Sequence, residues 1–287
     1  VEAIPASARW IPARTFADEV AVVTGGGTGL GLEISRGLAA LGAHVIIASR
    51  SAEHHAALLD EAARRGWSVE SVVLDVREPK LVRDAAESIV ARRGRVDILV
   101  NNAAGNFVCP AERLSSNAWR AVLAIVLDGT FYCSQAFGRA MIARQQGRIL
   151  NVVATYAWTG MAGVVHSASA KAGVLAMTKT LAAEWARHGL RVNAVAPGPF
   201  ESHGARQNLW PDEETARAIA AEIPLGRFAT ADEVAAHCLY LLSPAADYIT
   251  GECVVVDGGG SLAKSMWEPG ARSRRGPDHR RARDEGS

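Results

Sequence analysis

Cysteine is scarce in this chain of 287 residues: only Cys109, Cys133, Cys238 and Cys253, with no CxxC, CxxH or HExxH motif beside them. That scarcity argues against a disulfide framework and against a metal site, and favours free thiols in a reducing compartment. Net charge is nearly absent too. Thirty-one Lys and Arg against thirty Asp and Glu leave +1, so no broad basic surface is offered to nucleic acid. Apolar runs last a handful of residues, far below the roughly twenty that a spanning helix needs, so no membrane partner is expected. No basic stretch precedes an apolar segment near the start, as a secretory signal requires. The expectation is a cytoplasmic enzyme or binding protein.

What is present is an ordinary core, with 49% apolar and 21% charged residues. Residues 1–15 carry Pro5 and Pro12 without periodicity and read as an N-terminal extension. Residues 264–287 form an Arg-rich tail; its last twenty hold six Arg against four acids and no apolar residue larger than Ala. Such a segment buries too little to offset its ordering entropy and reads as disordered; a nucleic-acid-binding tail is the sharper alternative. Between 16 and 263 the pattern alternates strand and helix. Apolar runs at 20–24, 45–48, 72–74, 97–100, 149–153, 192–196 and 253–256 have strand length and are continuous, as in parallel strands buried on both faces. Between the first two, Leu30, Ile34, Leu38 and Leu41 repeat at helical spacing and Gly42 closes the helix. One doubly wound α/β domain of the Rossmann kind follows, with a parallel seven-stranded sheet.

The first strand runs straight into Thr24-Gly25-Gly26-Gly27-Thr28-Gly29-Leu30-Gly31. Strand, glycine turn and helix together suit a dinucleotide pyrophosphate, which needs close backbone approach and the free N–H groups of a helix start. Gly25, Thr28, Gly29, Leu30 and Gly31 are therefore candidate cofactor residues. The second strand ends Ala48-Ser49-Arg50. No acid stands there to hold a ribose 2′-OH, while the planar fork of Arg50 suits a 2′-phosphate, so NADPH is expected over NADH.

Gly25-x-x-x-Gly29-x-Gly31, Asn101-Asn102-Ala103-Ala104-Gly105, Asp75, Asn193, Pro197-Gly198 and Asp257-Gly258-Gly259 together resemble the short-chain dehydrogenase/reductase superfamily over residues 16–263. The resemblance implies that Asp75, Val76, Asn102, Ala103, Ala104 and Gly105 flank the adenine. It places Pro197, Gly198 and Ser202 beside the nicotinamide, and a substrate lid at about 199–226 with Gly204, Trp210 and Pro211. The superfamily's usual signature is Tyr-x-x-x-Lys preceded by a Ser. Here Lys171 is in place, but Ser167 stands at the Tyr position, Ala154 at the Ser position and Val126 where a helix Asn is usual.

A displaced tyrosine, Tyr156, precedes Lys171 by fifteen residues. With Ala103-Ala104-Gly105-Asn106-Phe107 and Ile125-Val126-Leu127-Asp128-Gly129-Thr130, that spacing resembles the 2,4-dienoyl-CoA reductases of bacterial and mitochondrial type. The resemblance implies a homotetramer that reduces an acyl-CoA thioester with NADPH in unsaturated fatty-acid degradation. It makes Tyr156, Ser167 and Lys171 catalytic, and it has an Asn where this chain has Asp128. Hydride addition to a conjugated dienoyl thioester leaves negative charge on the thioester oxygen, which calls for hydrogen-bond donors. Tyr156 can donate there, Lys171 can hold the nicotinamide ribose, and Ser167 can orient either of them or merely cap a helix. Asp128 can serve only if the apolar Val126 and Leu127 hold it neutral; otherwise it faces solvent or a subunit. His166 and His203 lie near these motifs without metal-type partners. Two other readings stay open: a related short-chain reductase acting on an enoyl or 3-oxoacyl thioester, and a catalytically silent NADP-binding protein.

Overall fold

In the computed structural model the described residues are 4–201 and 212–262. Val20–Thr24 forms β1, and all five of its residues are buried. Six more strands follow: β2 (His44–Ser49), β3 (Val69–Val73), β4 (Ile98–Asn101), β5 (Gly147–Val152), β6 (Leu190–Pro197) and β7 (Cys253–Val256). All pair in parallel, in the order β3-β2-β1-β4-β5-β6-β7. The order reverses between β1 and β4, so the connections leaving those two strands diverge and open a crevice at their C-terminal ends.

The described helices are α1 (Gly29–Ala40), α2 (Ala56–Arg65), α3 (Pro79–Arg93), α4 (Ser116–Leu123), α5 (Gly129–Arg144), α6 (Tyr156–Thr159), α7 (Val165–Trp185), α8 (Glu213–Glu222) and α9 (Ala231–Leu242). Alternation along β1 divides the core. Ala21 and Val23 meet Ile34 and Leu38 of α1, Leu58 of α2 and Leu239 of α9. Val20 and Val22 join Ile89 of α3, Phe137 and Met141 of α5 and Leu181 of α7 on the other face. Each of the buried Val, Leu, Ile, Phe and Met side chains contributes about 1.5–3 kcal/mol by leaving water. Leu30, Ile34, Leu38 and Leu41 are all buried, as their spacing predicts. Gly42 follows with φ +98°, which a residue with a side chain rarely adopts.

Three local differences from the sequence reading have physical causes. β3 begins at Val69 rather than at 72 and shows no continuous burial. It is the sheet edge, so Glu70 can sit within it, paired with Arg92 at 3.2 Å and with Arg93 at 2.5 Å. Secondly, α4, a π-helical turn at Ala124–Asp128 and α5 join into one rod, Ser116–Arg144, of 29 residues, long and apolar enough to cross a membrane. Its apolar side (Val122, Val126, Cys133, Phe137, Met141) is spent on the core. Thirdly, the N-terminal extension, which shows no periodicity in sequence, is packed on the domain: Ala8 and Ile11 pack with α1 and α9, and the Ser7 backbone N–H donates to Asp232 at 3.3 Å. In the expected lid segment α8 begins after Asp212, whose side chain accepts from the Thr215 N–H at 2.7 Å. Ser202, His203, Gly204, Trp210, Pro211 and the tail 264–287 lie outside the described residues.

Candidate active site

The crevice is built first by glycine. Gly25 and Gly29 have φ of +64° and +52°. A Cβ on Gly31 would stand 2.2 Å from the Gly25 carbonyl oxygen, so α1 can approach the turn this closely only without a side chain. Thr28 precedes α1 without a side-chain cap, leaving the first-turn N–H groups available to a bound anion. Thr24 ties the two sides of the crevice together. Its hydroxyl donates to the Val100 carbonyl at 3.2 Å and accepts from the N–H groups of Asn102 and Ala103 at 3.0 and 3.1 Å. The Asn102 carboxamide in turn donates to the carbonyls of Thr24 and Gly25 at 3.1 and 3.2 Å. Asn102 therefore holds the glycine turn, while Ala104 and Gly105 form an exposed wall of the crevice.

The remaining cofactor residues of the sequence reading gather at the same sheet end. Ser49 closes β2, with Arg50 exposed beside it. Asp75 accepts both Nε and Nη2 of Arg77, at 2.9 and 2.6 Å, and that guanidinium holds its carboxyl below the usual range. The Val76 side chain is buried against Gly129. Leu30 is likewise core, so only the backbones of these two can line the crevice. Pro197 ends β6, and Gly198 approaches Asp257 so closely that a Cβ would meet the Asp257 Cβ at 2.7 Å. Free helix-start N–H groups, a side-chain-free turn and an open wall fit an extended dinucleotide.

The candidate reacting groups stand beside this crevice on the loops and helices that follow β4 and β5. Tyr156 opens α6. Ser167 and Lys171, one helical turn apart, share a face of α7 and are buried. The Tyr156 hydroxyl lies 3.0 Å from Ser167 Oγ. Burial pushes the Tyr156 phenol up and favours the protonated form, although its bonds to Ser167 and Asn106 pull the other way. Burial pushes Lys171 down to about 8, and its ammonium donates to the Val152 carbonyl. Ser167 is not a helix cap: α7 begins at Val165 behind Val164, and Ser167 lies inside its first turn.

Asp128 is exposed, at the end of the π-helical turn. The preceding Leu127 takes the inward direction, against Gly173 of α7. The apolar enclosure that a neutral acid requires is missing around it, which favours the solvent- or subunit-facing reading of Asp128 over the donor one. A further polar group beside Tyr156 is Asn106, in the stretch Ala103-Ala104-Gly105-Asn106-Phe107. Its Nδ2 donates to the Tyr156 hydroxyl at 3.4 Å, and its Oδ1 accepts from the Phe107 N–H at 2.9 Å, which fixes the carboxamide's orientation. Phe107 is itself stacked on the buried His166, ring centroids 4.3 Å apart. The available signal was a lone carboxamide in the exposed loop after β4, between Gly105 and Phe107. Chemically, the cluster is a protonated phenol, an oriented amide and a serine hydroxyl, next to a buried lysine and a dinucleotide crevice.

Comparison with known proteins agrees with this geometry. Residues 25–261 match the family model described as Enoyl-(Acyl carrier protein) reductase. A Bacillus subtilis (strain 168) protein named probable 2,4-dienoyl-CoA reductase [(2E)-enoyl-CoA-producing] is 47% identical over 244 residues, 83% of this chain and 94% of that protein. A Danio rerio peroxisomal 2,4-dienoyl-CoA reductase [(3E)-enoyl-CoA-producing] is 41% identical over 256 residues, 87% of this chain and 84% of that one. Among solved structures, a Bacillus anthracis short chain dehydrogenase superposes with a TM-score of 0.77 at 44% identity, covering 89% of this chain and all (100%) of that one. A Burkholderia cenocepacia gluconate 5-dehydrogenase in complex with NADP and tartrate gives 0.82 at 35% identity, covering 87% and 98%. Sheet order, glycine turn, buried lysine and these likenesses converge: the chain is a nicotinamide-dependent oxidoreductase belonging to the short-chain dehydrogenase/reductase superfamily.

Proposed function

We propose that this protein uses NADPH to reduce trans-2,4-dienoyl-CoA to an enoyl-CoA in the degradation of unsaturated fatty acids, as a homotetramer. The observation that carries the reading is the hydrogen-bonded cluster of Tyr156, Ser167 and Asn106, in a site that has Ala154 and Ser167 where a carbonyl reductase has Ser and Tyr. Ser49 and Arg50 at the end of β2 support NADPH, as does the NADP bound in the Burkholderia relative.

NADPH, when bound, supplies the hydride. Gly25, Gly29 and the start of α1 would receive its pyrophosphate, and Lys171 would hold its nicotinamide ribose. Addition at the far carbon of the diene sends charge to the thioester oxygen, where Tyr156 and Asn106 donate hydrogen bonds that strengthen as the charge grows. Ser167, one helical turn before Lys171, keeps the phenol aimed. A proton from solvent completes the product.

NADPH oxidation by purified protein, followed with dienoyl-CoA, enoyl-CoA and 3-oxoacyl-CoA in turn, tests the reading. The dienoyl thioester should be the best substrate by a wide margin. Strong 3-oxoacyl reduction overturns the assignment, and no turnover at all leaves a silent binding protein. Light scattering should give a mass four times the 30.3 kDa of one chain.

A further inference from the structure

The described part of the chain holds a buried histidine that the reaction does not use. His55 ends the 3-10 turn Ala52–His55 after β2 and is 1% exposed. Its Nε2 lies 2.7 Å from Ser49 Oγ, while its Nδ1 is buried without a hydrogen-bond partner. The same turn leans on the cofactor loop. A Cβ on Gly27 would stand 2.0 Å from the His54 carbonyl oxygen.

The Ser49 hydroxyl has one proton and two neighbours that can take it, the Ser51 carbonyl at 3.0 Å and His55 Nε2. If the proton goes to His55, the imidazole must carry its own proton on Nδ1, and a buried N–H is left without an acceptor. If it goes to Ser51, the imidazole carries its proton on Nε2 and donates to Ser49 Oγ. The second arrangement makes two hydrogen bonds where the first makes one, so it is favoured. The result is a relay with a direction: His55 Nε2–H donates to Ser49 Oγ, whose own proton points away from the histidine. Beside an incoming 2′-phosphate, that proton can swing from the Ser51 carbonyl to a phosphate oxygen without breaking the histidine bond. A hydroxyl already accepting a hydrogen bond is the stronger donor, and a phosphate is an acceptor-only anion.

Building on the NADPH reading, we infer that His55 is a positioning residue for cofactor choice, acting through Ser49 to present a donor to the ribose 2′-phosphate. A leucine there would remove the bond that strengthens Ser49 as a donor and occupies one of its lone pairs, leaving a freely rotating hydroxyl that is a weaker partner for the phosphate. Glutamine, whose amide nitrogen reaches about as far as Nε2, would keep the relay.

The test is calorimetric titration of the full chain with 2′,5′-ADP and with 5′-AMP, which differ only in the 2′-phosphate and need no turnover. The wild type should bind 2′,5′-ADP more tightly. His55→Leu should weaken 2′,5′-ADP by about threefold, a fraction of the worth of one hydrogen bond to a charged group, and leave 5′-AMP unchanged. His55→Gln should recover most of that loss. Equal weakening of both ligands by His55→Leu would reduce His55 to a packing role in the turn and overturn the inference, as would an unchanged preference. If the wild type itself shows no preference, the NADPH reading falls and this inference with it.

Discussion

At the scale of single residues, Tyr156 is held by groups from two other parts of the chain, Asn106 after β4 and Ser167 in α7. Tyr156→Phe should lower kcat by about 10²–10³ with little change in NADPH binding, as the loss of an oxyanion donor does; stopped-flow turnover beside NADPH fluorescence titration reads both. Asn106→Ala should cost a comparable factor, while Asp128→Ala should stay within about threefold of wild type, since an exposed carboxylate stabilises no oxyanion. Large loss in Asp128→Ala with an intact Asn106→Ala would reverse the two assignments. Lys171 adds a pH dependence. Burial has lowered it from 10.5 to about 8, so it is an ammonium below that pH and an amine above. kcat/KM should therefore fall as pH rises through about 8. The lysine's effect on stability has the opposite sign. Between about 8 and 10.5 the unfolded chain binds more protons, so its contribution to stability rises with pH across that window. Lys171 and Ser167 were legible because they fall on the Tyr-x-x-x-Lys spacing of the superfamily the chain resembles, and residues four apart share one helix face. Asn106 and Asp128 were not, because the direction of a side chain in a loop or a π-helical turn is set by what it packs on. Leu127 against Gly173 and Phe107 against His166 make that choice here, and neither contact has a sequence period.

Among elements, the turn between β1 and α1 was the most legible, because strand, glycines and helix occur in one unbroken stretch. Gly31 shows what that stretch demands. A methyl there would overlap the Gly25 carbonyl, so Gly31→Ala should push α1 away from the turn. The expected outcome is at least about tenfold weaker NADPH binding, measured by titration, with far-ultraviolet circular dichroism unchanged because both flanking elements keep their cores. Undiminished binding would show that the turn does not grip the pyrophosphate. β3 was the least legible strand. An edge strand has one solvated side, so its apolar pattern is broken by Glu70 and Ser71, and a search for continuous apolar runs starts too late. The π-helical turn leaves no mark in composition either, yet it decides which of Val126, Leu127 and Asp128 faces inward.

For the whole molecule, one topological feature brings the separate motifs together. The reversal of strand order between β1 and β4 places the glycine turn, the loop with Asn106 and the Tyr156 segment at one end of the sheet. Alternating strands and helices made that arrangement readable before any coordinate, whereas the docking of Ala8 and Ile11 on α1 and α9 came from shape alone. The central claim concerns where the hydride goes. A cluster that stabilises charge on the thioester oxygen but lacks the usual tyrosine at 167 should direct hydride to the end of a conjugated chain and not to a carbonyl carbon. The direct measurement is turnover of 2,4-dienoyl-CoA with NADPH deuterated on the transferred position, followed by mass spectrometry and NMR of the product. Deuterium on the fifth carbon of an enoyl-CoA, with a solvent proton on the second or fourth, is the predicted result. Deuterium on a carbinol carbon, from a 3-oxoacyl thioester reduced faster than the diene, would contradict it.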